Sequence, residues 1–181
     1  METVNLITAL LIVVIVIVIV IVVVSASDGS NKVKYIVLNK VSVNEASAAD
    51  AGANVIQIAE LQAYEGDKLL TASDYELVEY KNSPKKEADT QGNYLAVDAV
   101  DGDINTYAST SGVGILHTMI FTLKNPMKIT KINVIGRKDC CRQRLPGIVM
   151  SLLNDKNVEL YTTRFNEAFQ QKTFDITYPV K

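Results

Sequence analysis

The chain has no tryptophan, one histidine, and two cysteines that stand side by side among its 181 residues. Without tryptophan, no indole platform is available for stacking a sugar ring. A single histidine and two adjacent cysteines supply too few ligands for a structural zinc site. The same scarcity leaves a serine or cysteine nucleophile without a base, because His117 falls on an expected strand as a surface or core residue. The Asp28-Gly29, Asp101-Gly102-Asp103 and Gly112-Val113-Gly114 steps lack a phosphate-loop lysine and a βα setting. Glu/Asp pairs occur, but any 20 acidic residues provide some, so a glycosidase is not indicated. No catalytic residues are assigned, and the chain is not expected to be an enzyme. Charge is also nearly balanced, with 18 basic residues against 20 acidic ones and a formal net of -2. No basic face or aromatic RNA motif is visible, so nucleic acid is not an expected partner.

Long apolar runs are confined to one place. Leu6 to Val24 is broken only by Thr8. As a helix it spans about 28 Å, close to the thickness of a bilayer core. Residues 1–26 are therefore expected to form a transmembrane anchor, or an uncleaved signal. Val24-Ser25-Ala26 offers small residues for cleavage, but the run is longer than a signal core and no basic residue precedes it. Lys32, Lys34 and Lys40 on the C-terminal flank place the following domain in the cytosol by the positive-inside rule. A disulfide would place it in an oxidising space. Both topologies stay open.

Residues 27–53 read as a stalk and a first strand, Val33 to Val43. Residues 54–181 read as one β-rich domain, long enough to bury a core. Strands are expected at Ile56 to Tyr64 and near 116–124, 127–136, 147–153, 158–165 and 172–177, with Asn154-Asp155-Lys156-Asn157 as a hairpin turn. Ser73 to Asn93 carries many charges and reads as a surface loop with a short helix at most. Many short strands and little helical periodicity imply an antiparallel sandwich.

Two stretches carry candidate chemistry. Asp98, Asp101 and Asp103 surround Gly102; alternating carboxylates about a tight turn suit a hard cation such as calcium, although the spacing is not that of an EF-hand. The run Arg137-Lys138-Asp139-Cys140-Cys141-Arg142-Gln143-Arg144 packs four cations, one carboxylate and both cysteines together. If joined, the cysteines present a flat apolar sulfur surface flanked by planar guanidinium forks, suited to a sugar ring with one apolar face. If reduced, they are two half-buried thiols on a solvated loop.

Arg137-x-Asp139 followed by Arg144, with Cys140 and Cys141 between, resembles the sugar-binding loop of the fucose-binding F-type lectins. These belong to the galactose-binding-like superfamily, with the discoidin and coagulation-factor-5/8 type C domains. Ala99-Val100-Asp101-Gly102-Asp103-Ile104-Asn105-Thr106, Phe121-Thr122-Leu123 and Ile129-Thr130-Lys131-Ile132-Asn133-Val134 resemble further motifs of that group, in the same order. Similar domains behind a membrane anchor occur in large DNA viruses.

The resemblance implies an all-β jelly roll of about eight strands, here preceded by the single N-terminal transmembrane helix. It implies a Cys140–Cys141 disulfide, with Arg137 and Arg144 gripping hydroxyls and Asp139 orienting an arginine. It also implies calcium held by Asp98 and Asp103 around Asp101, with Ala59 and Glu60 from a neighbouring strand. Where the family places a histidine, this chain has Thr110. The expected function is that of a non-enzymatic, membrane-anchored interaction protein. It would sit in a virion membrane or minor capsid, or at a cell surface, and dock to other virion or cell-surface proteins. The alternative is a lectin that binds fucose or other glycans for attachment.

Overall fold

Period-two alternation of apolar side chains sets the strands of the chain's second unit, Asn31–Lys181. The computed structural model describes residues 31–41, 55–81, 94–110 and 117–178. Eleven strands lie in these segments: β1 Val33–Lys40, β2 Gln57–Ile58, β3 Glu60–Glu65, β4 Lys68–Leu69, β5 Tyr75–Lys81, β6 Ala108–Ser109, β7 Thr118–Met127, β8 Lys131–Ile135, β9 Ile148–Leu153, β10 Glu159–Arg164 and β11 Gln171–Asp175. They form a five-stranded sheet ordered β10-β9-β1-β7-β5, a four-stranded sheet ordered β11-β8-β3-β4, and the small pair β2-β6. Every pairing is antiparallel.

In β7, Met119, Phe121 and Leu123 are buried, while Thr118, Ile120 and Thr122 turn to the other face and stay partly exposed. β8 repeats the pattern with Ile132 and Val134 inward. Both large sheets feed one hydrophobic cluster, which joins Ile36 and Leu38 of β1 to Met150 and Leu152 of β9 and to Leu61 and Ala63 of β3. β1 sits at the centre of the five-stranded sheet, with Ile36 opposite both Phe121 and Leu152. The domain therefore begins before residue 54.

The expected fold class needs correction. The protein is all-β, but among the described residues no helix is long and apolar enough to cross a membrane. The longest helical piece described is the 3₁₀ turn Ala96–Val100. Residues 1–26, on which the anchor was expected, lie outside the described residues.

The remaining differences are local. Tyr75–Lys81 is an edge strand rather than loop; only one of its sides pairs, and its charged side chains face solvent. The strand expected near 116–124 runs on to Met127 and the one expected over 127–136 begins only at Lys131, because Lys128–Thr130 carries the chain from one sheet to the other. There the Thr130 N–H donates to the Tyr64 carbonyl at 2.8 Å. The hairpin at 154–157 forms as expected, with Asn154 Oδ1 accepting from the N–H groups of Lys156 and Val158.

Candidate functional site

One end of the domain gathers β2, β6, the start of β9 and the chain that leaves β8. Gly136 makes the exit from β8 possible. A Cβ there would lie 2.8 Å from the Phe169 carbonyl oxygen, closer than packing allows. Arg137, Lys138 and Asp139 follow, then a disulfide joining Cys140 to Cys141. Cys141 takes a left-handed φ of 68° and enters the 3₁₀ turn Arg142–Arg144. Gly147, with φ 86°, returns the chain to β9.

A polar frame holds this loop from below. Gln57 Oε1 accepts from Arg144 Nη1 at 2.9 Å and from Arg137 Nη1 at 3.5 Å, while its Nε2 donates to Ser109 Oγ at 2.9 Å. The Ser109 N–H donates to the Tyr80 hydroxyl, which donates to the Tyr94 carbonyl at 2.8 Å. Tyr94 holds an unusual φ of 84° for a non-glycine residue, and its ring packs 4.4 Å from that of Tyr107. The Arg137 guanidinium lies over Tyr107 at 3.6 Å from the ring centre, a cation–π contact. Arg137 also makes a two-point pair with Asp139, Nε to Oδ1 at 3.0 Å and Nη2 to Oδ2 at 2.6 Å. That pair holds the Asp139 carboxyl below its ordinary range. Between this loop and residues 104–107 lies a cavity of about 420 Å³, lined by Ile104, Asn105, Thr106, Tyr107, Arg137, Lys138 and Asp139.

Lys40 is the deepest cation of this end. It is only 3% exposed, yet its Nζ donates to the carbonyls of Arg144 and Pro146, both at 2.6 Å. Burial lowers its ammonium from 10.5 to about 8.

Thr110 and His117 are structural. Thr110 is buried and its Oγ1 accepts the Ile56 N–H at 2.9 Å, which extends the β2-β6 pairing. His117 is fully buried before β7 with both ring nitrogens unpartnered, and desolvation lowers its pKa.

The five positions expected to hold calcium are not brought together as one ligand set. Glu60 Oε1 accepts the Gly102 N–H at 2.7 Å. Asp101 spends both oxygens on the Asp103 N–H and the Thr106 hydroxyl, Asp98 accepts the Leu95 N–H, and Asp103 accepts the Asn105 N–H. The oxygens thus close the loop on itself. Among the described residues no three His, Cys, Asp or Glu side chains converge as metal ligands. The Asp101 carboxyl also reaches Glu60, and the Asp103 charge acts on it, so these acidic groups lie near one another.

Glu60 is nonetheless unusual. It is 2% exposed, and burial, the Asp101 carboxyl and the Asp103 charge raise its pKa to about 7. A raised carboxyl pKa stabilises the fold below the unfolded value and loses that contribution as pH rises through the folded one. Stability is therefore expected to fall between pH 5 and pH 8. Glu60→Gln is expected to gain about 1–2 kcal/mol over wild type at pH 8, after discounting for the open loop, and nothing at pH 4. Urea titrations at the two pH values check this.

Sequence reasoning named Arg137, Asp139, the cysteines and Arg144, and the structure gathers them on one loop. It missed Gln57, Tyr107, Tyr80 and Lys40. Gln57 carried a signal: it is the lone polar residue in Val55-Ile56-Gln57-Ile58-Ala59. Tyr107 and Lys40 gave none, because their partners are distant in sequence. No protein-family model, curated protein or solved structure matches the chain.

Proposed function

We propose that the protein is a non-enzymatic binding module that docks a partner protein through the loop end formed by residues 104–107 and 137–144. One observation carries this reading. Arg137 and Arg144 are held in place by a partly buried frame of Gln57, Ser109, Tyr80 and Lys40, while Lys138, Asp139 and Arg142 stay exposed at the tip. Rigid support beneath an exposed charged tip is what a recognition surface requires. The resemblance to galactose-binding-like domains points the same way, since those domains bind with loops at one end of a sandwich.

The sugar-binding alternative rests on the disulfide ledge between two arginines. Two facts weaken it. Thr110, at the family's histidine position, has its hydroxyl bound to Ile56 N–H and is buried away from any ligand. Both guanidinium groups already have protein partners. A ligand hydroxyl left without its partner costs about 1–3 kcal/mol, a factor of roughly ten to a hundred in affinity. Isothermal titration with L-fucose is expected to give millimolar binding or none. Micromolar binding that disappears in Arg144→Ala would transfer the assignment to a lectin.

A further inference from the structure

The Arg137–Asp139 pair is asymmetric. The Arg137 side chain is 12% exposed and the Asp139 side chain 67%. Arg137 is fixed from beneath by Tyr107 at 3.6 Å, and Gln57 lies within 3.5 Å. Neither contact involves Asp139. The Asp139 carboxylate, by contrast, is held by the Arg137 fork and the neighbouring Cys140 N–H. The arginine is thus aimed and rigid on its own, and the aspartate is an exposed local group that fills the fork.

The surroundings are cationic. Residues 137–144 carry Arg137, Lys138, Arg142 and Arg144 against Asp139 alone, in a chain whose net charge is -2. Lys138 and Arg142 are exposed and make no ion pair among the described residues. The fork opens into the cavity beside Tyr107, Asn105 and the half-exposed Ile104. A guanidinium fork matches a carboxylate at two points, and the Asp139 geometry demonstrates that match in place.

From this geometry we infer that Asp139 is a placeholder for a partner's carboxylate: an acidic protein segment docks by exchanging its own Asp or Glu carboxylate for Asp139 on the Arg137 fork, with Lys138 and Arg142 meeting neighbouring acidic residues. The inference rests on the docking function proposed above and specifies the chemistry of the partner. The exchange is an isolated swap of ion-pair partners, so it needs no covalent step. It also makes binding depend on salt, since the exposed cations are screened within about 8 Å at physiological ionic strength.

The test uses the full chain and two peptides of equal length, one rich in glutamate and one with glutamine at the same positions. Binding is followed by titration at low and high salt. The glutamate peptide is expected to bind and the glutamine peptide not, with affinity falling severalfold in high salt. Asp139→Asn and Asp139→Ala, which vacate or neutralise the fork, are expected to tighten the glutamate peptide about three- to tenfold, a change of about 0.7–1.4 kcal/mol. Arg137→Gln is expected to weaken it at least tenfold, and Arg137→Lys, which keeps the charge but loses the fork, by nearly as much. Thermal melts of each variant confirm folding, and Arg142→Gln, at an exposed position, is expected to give a two- to threefold loss. Glutamate-peptide binding that is unchanged or weaker in both Asp139 variants overturns the exchange while leaving the docking function standing. Equal binding of the two peptides, or none to either, overturns the acidic partner. Micromolar L-fucose binding in place of peptide binding overturns the docking function itself.

Discussion

Phe121→Ala lowers the free energy of unfolding by about 3–5 kcal/mol, the range seen when a buried aromatic is truncated in a well-packed core. Phe121 is fully buried at the middle of β7, the strand that pairs with both β1 and β5. Its ring meets Tyr75 edge to face at 6.2 Å, and Tyr75 would lose that contact as well. The sheet bonds of β7 run through the main chain and persist, so the loss is one of packing and not of register. Phe121→Leu keeps most of the volume and is expected to cost less than half as much. Urea denaturation is the measurement. A loss under about 1 kcal/mol for Phe121→Ala would show that this site is not part of the cooperative core.

Lys40→Met carries the second large effect, about 2–3 kcal/mol of lost stability at pH 7. The methionine fills the same volume but leaves the Arg144 and Pro146 carbonyls without their donor. Removing a buried cation offsets part of that loss, which is why the figure is not larger. The pH dependence identifies the cause. In the native state the ammonium titrates near 8, and in the unfolded chain near its ordinary 10.5. Between those values the unfolded chain holds more protons, so wild-type stability rises with pH over that window. A neutral amine still donates to both carbonyls, so the clamp survives deprotonation. The methionine variant lacks this rise, and the gap between the two proteins should widen by about 1 kcal/mol from pH 7.5 to pH 9.5, with the two carbonyl acceptors limiting the change. Above pH 10 buried Tyr75 and Tyr80, whose pKa values burial raises, ionise in the unfolded chain only. Stability then falls in both proteins alike and leaves the difference intact. A gap independent of pH would mean that Lys40 keeps its ordinary pKa in the native state and that burial does not lower it.

The strands were legible where burial is one-sided. β7 and β8 alternate cleanly, β9 is a nearly continuous buried run, and the expected positions of all three agree with the structure to within a few residues. β5 was not legible, because an edge strand with Glu76, Glu79 and Lys81 presents little apolar period. The sheet change at Lys128–Thr130 was placed too early: apolar residues continue on both sides of it, so two strands were expected but the break between them was set at 125–126. At the site, the residues that do chemistry stand close in sequence and could be named together. The residues that support them, Gln57 and Lys40, lie 87 and 104 positions from Arg144. No local pattern reports such contacts. The acidic loop reads two ways in sequence. Its spacing suggests a cation, and Asp and Gly are also the residues that close tight turns on their own N–H groups, as Asp101 and Asp103 do here.

The attachments at the feet of the 137–144 loop are largely main-chain ones. Gly136 exchanges bonds with Gln170, Lys40 grips two carbonyls, and the Gly147 N–H reaches the Phe165 carbonyl. Anchors of this kind are indifferent to the identity of the side chains they carry. Positions 138 and 142 can accordingly drift in evolution, or be randomised in a display library, without disturbing the scaffold beneath. The fold is in that sense a mount for interchangeable tips, and a change of target asks for new letters at two exposed places instead of a new protein.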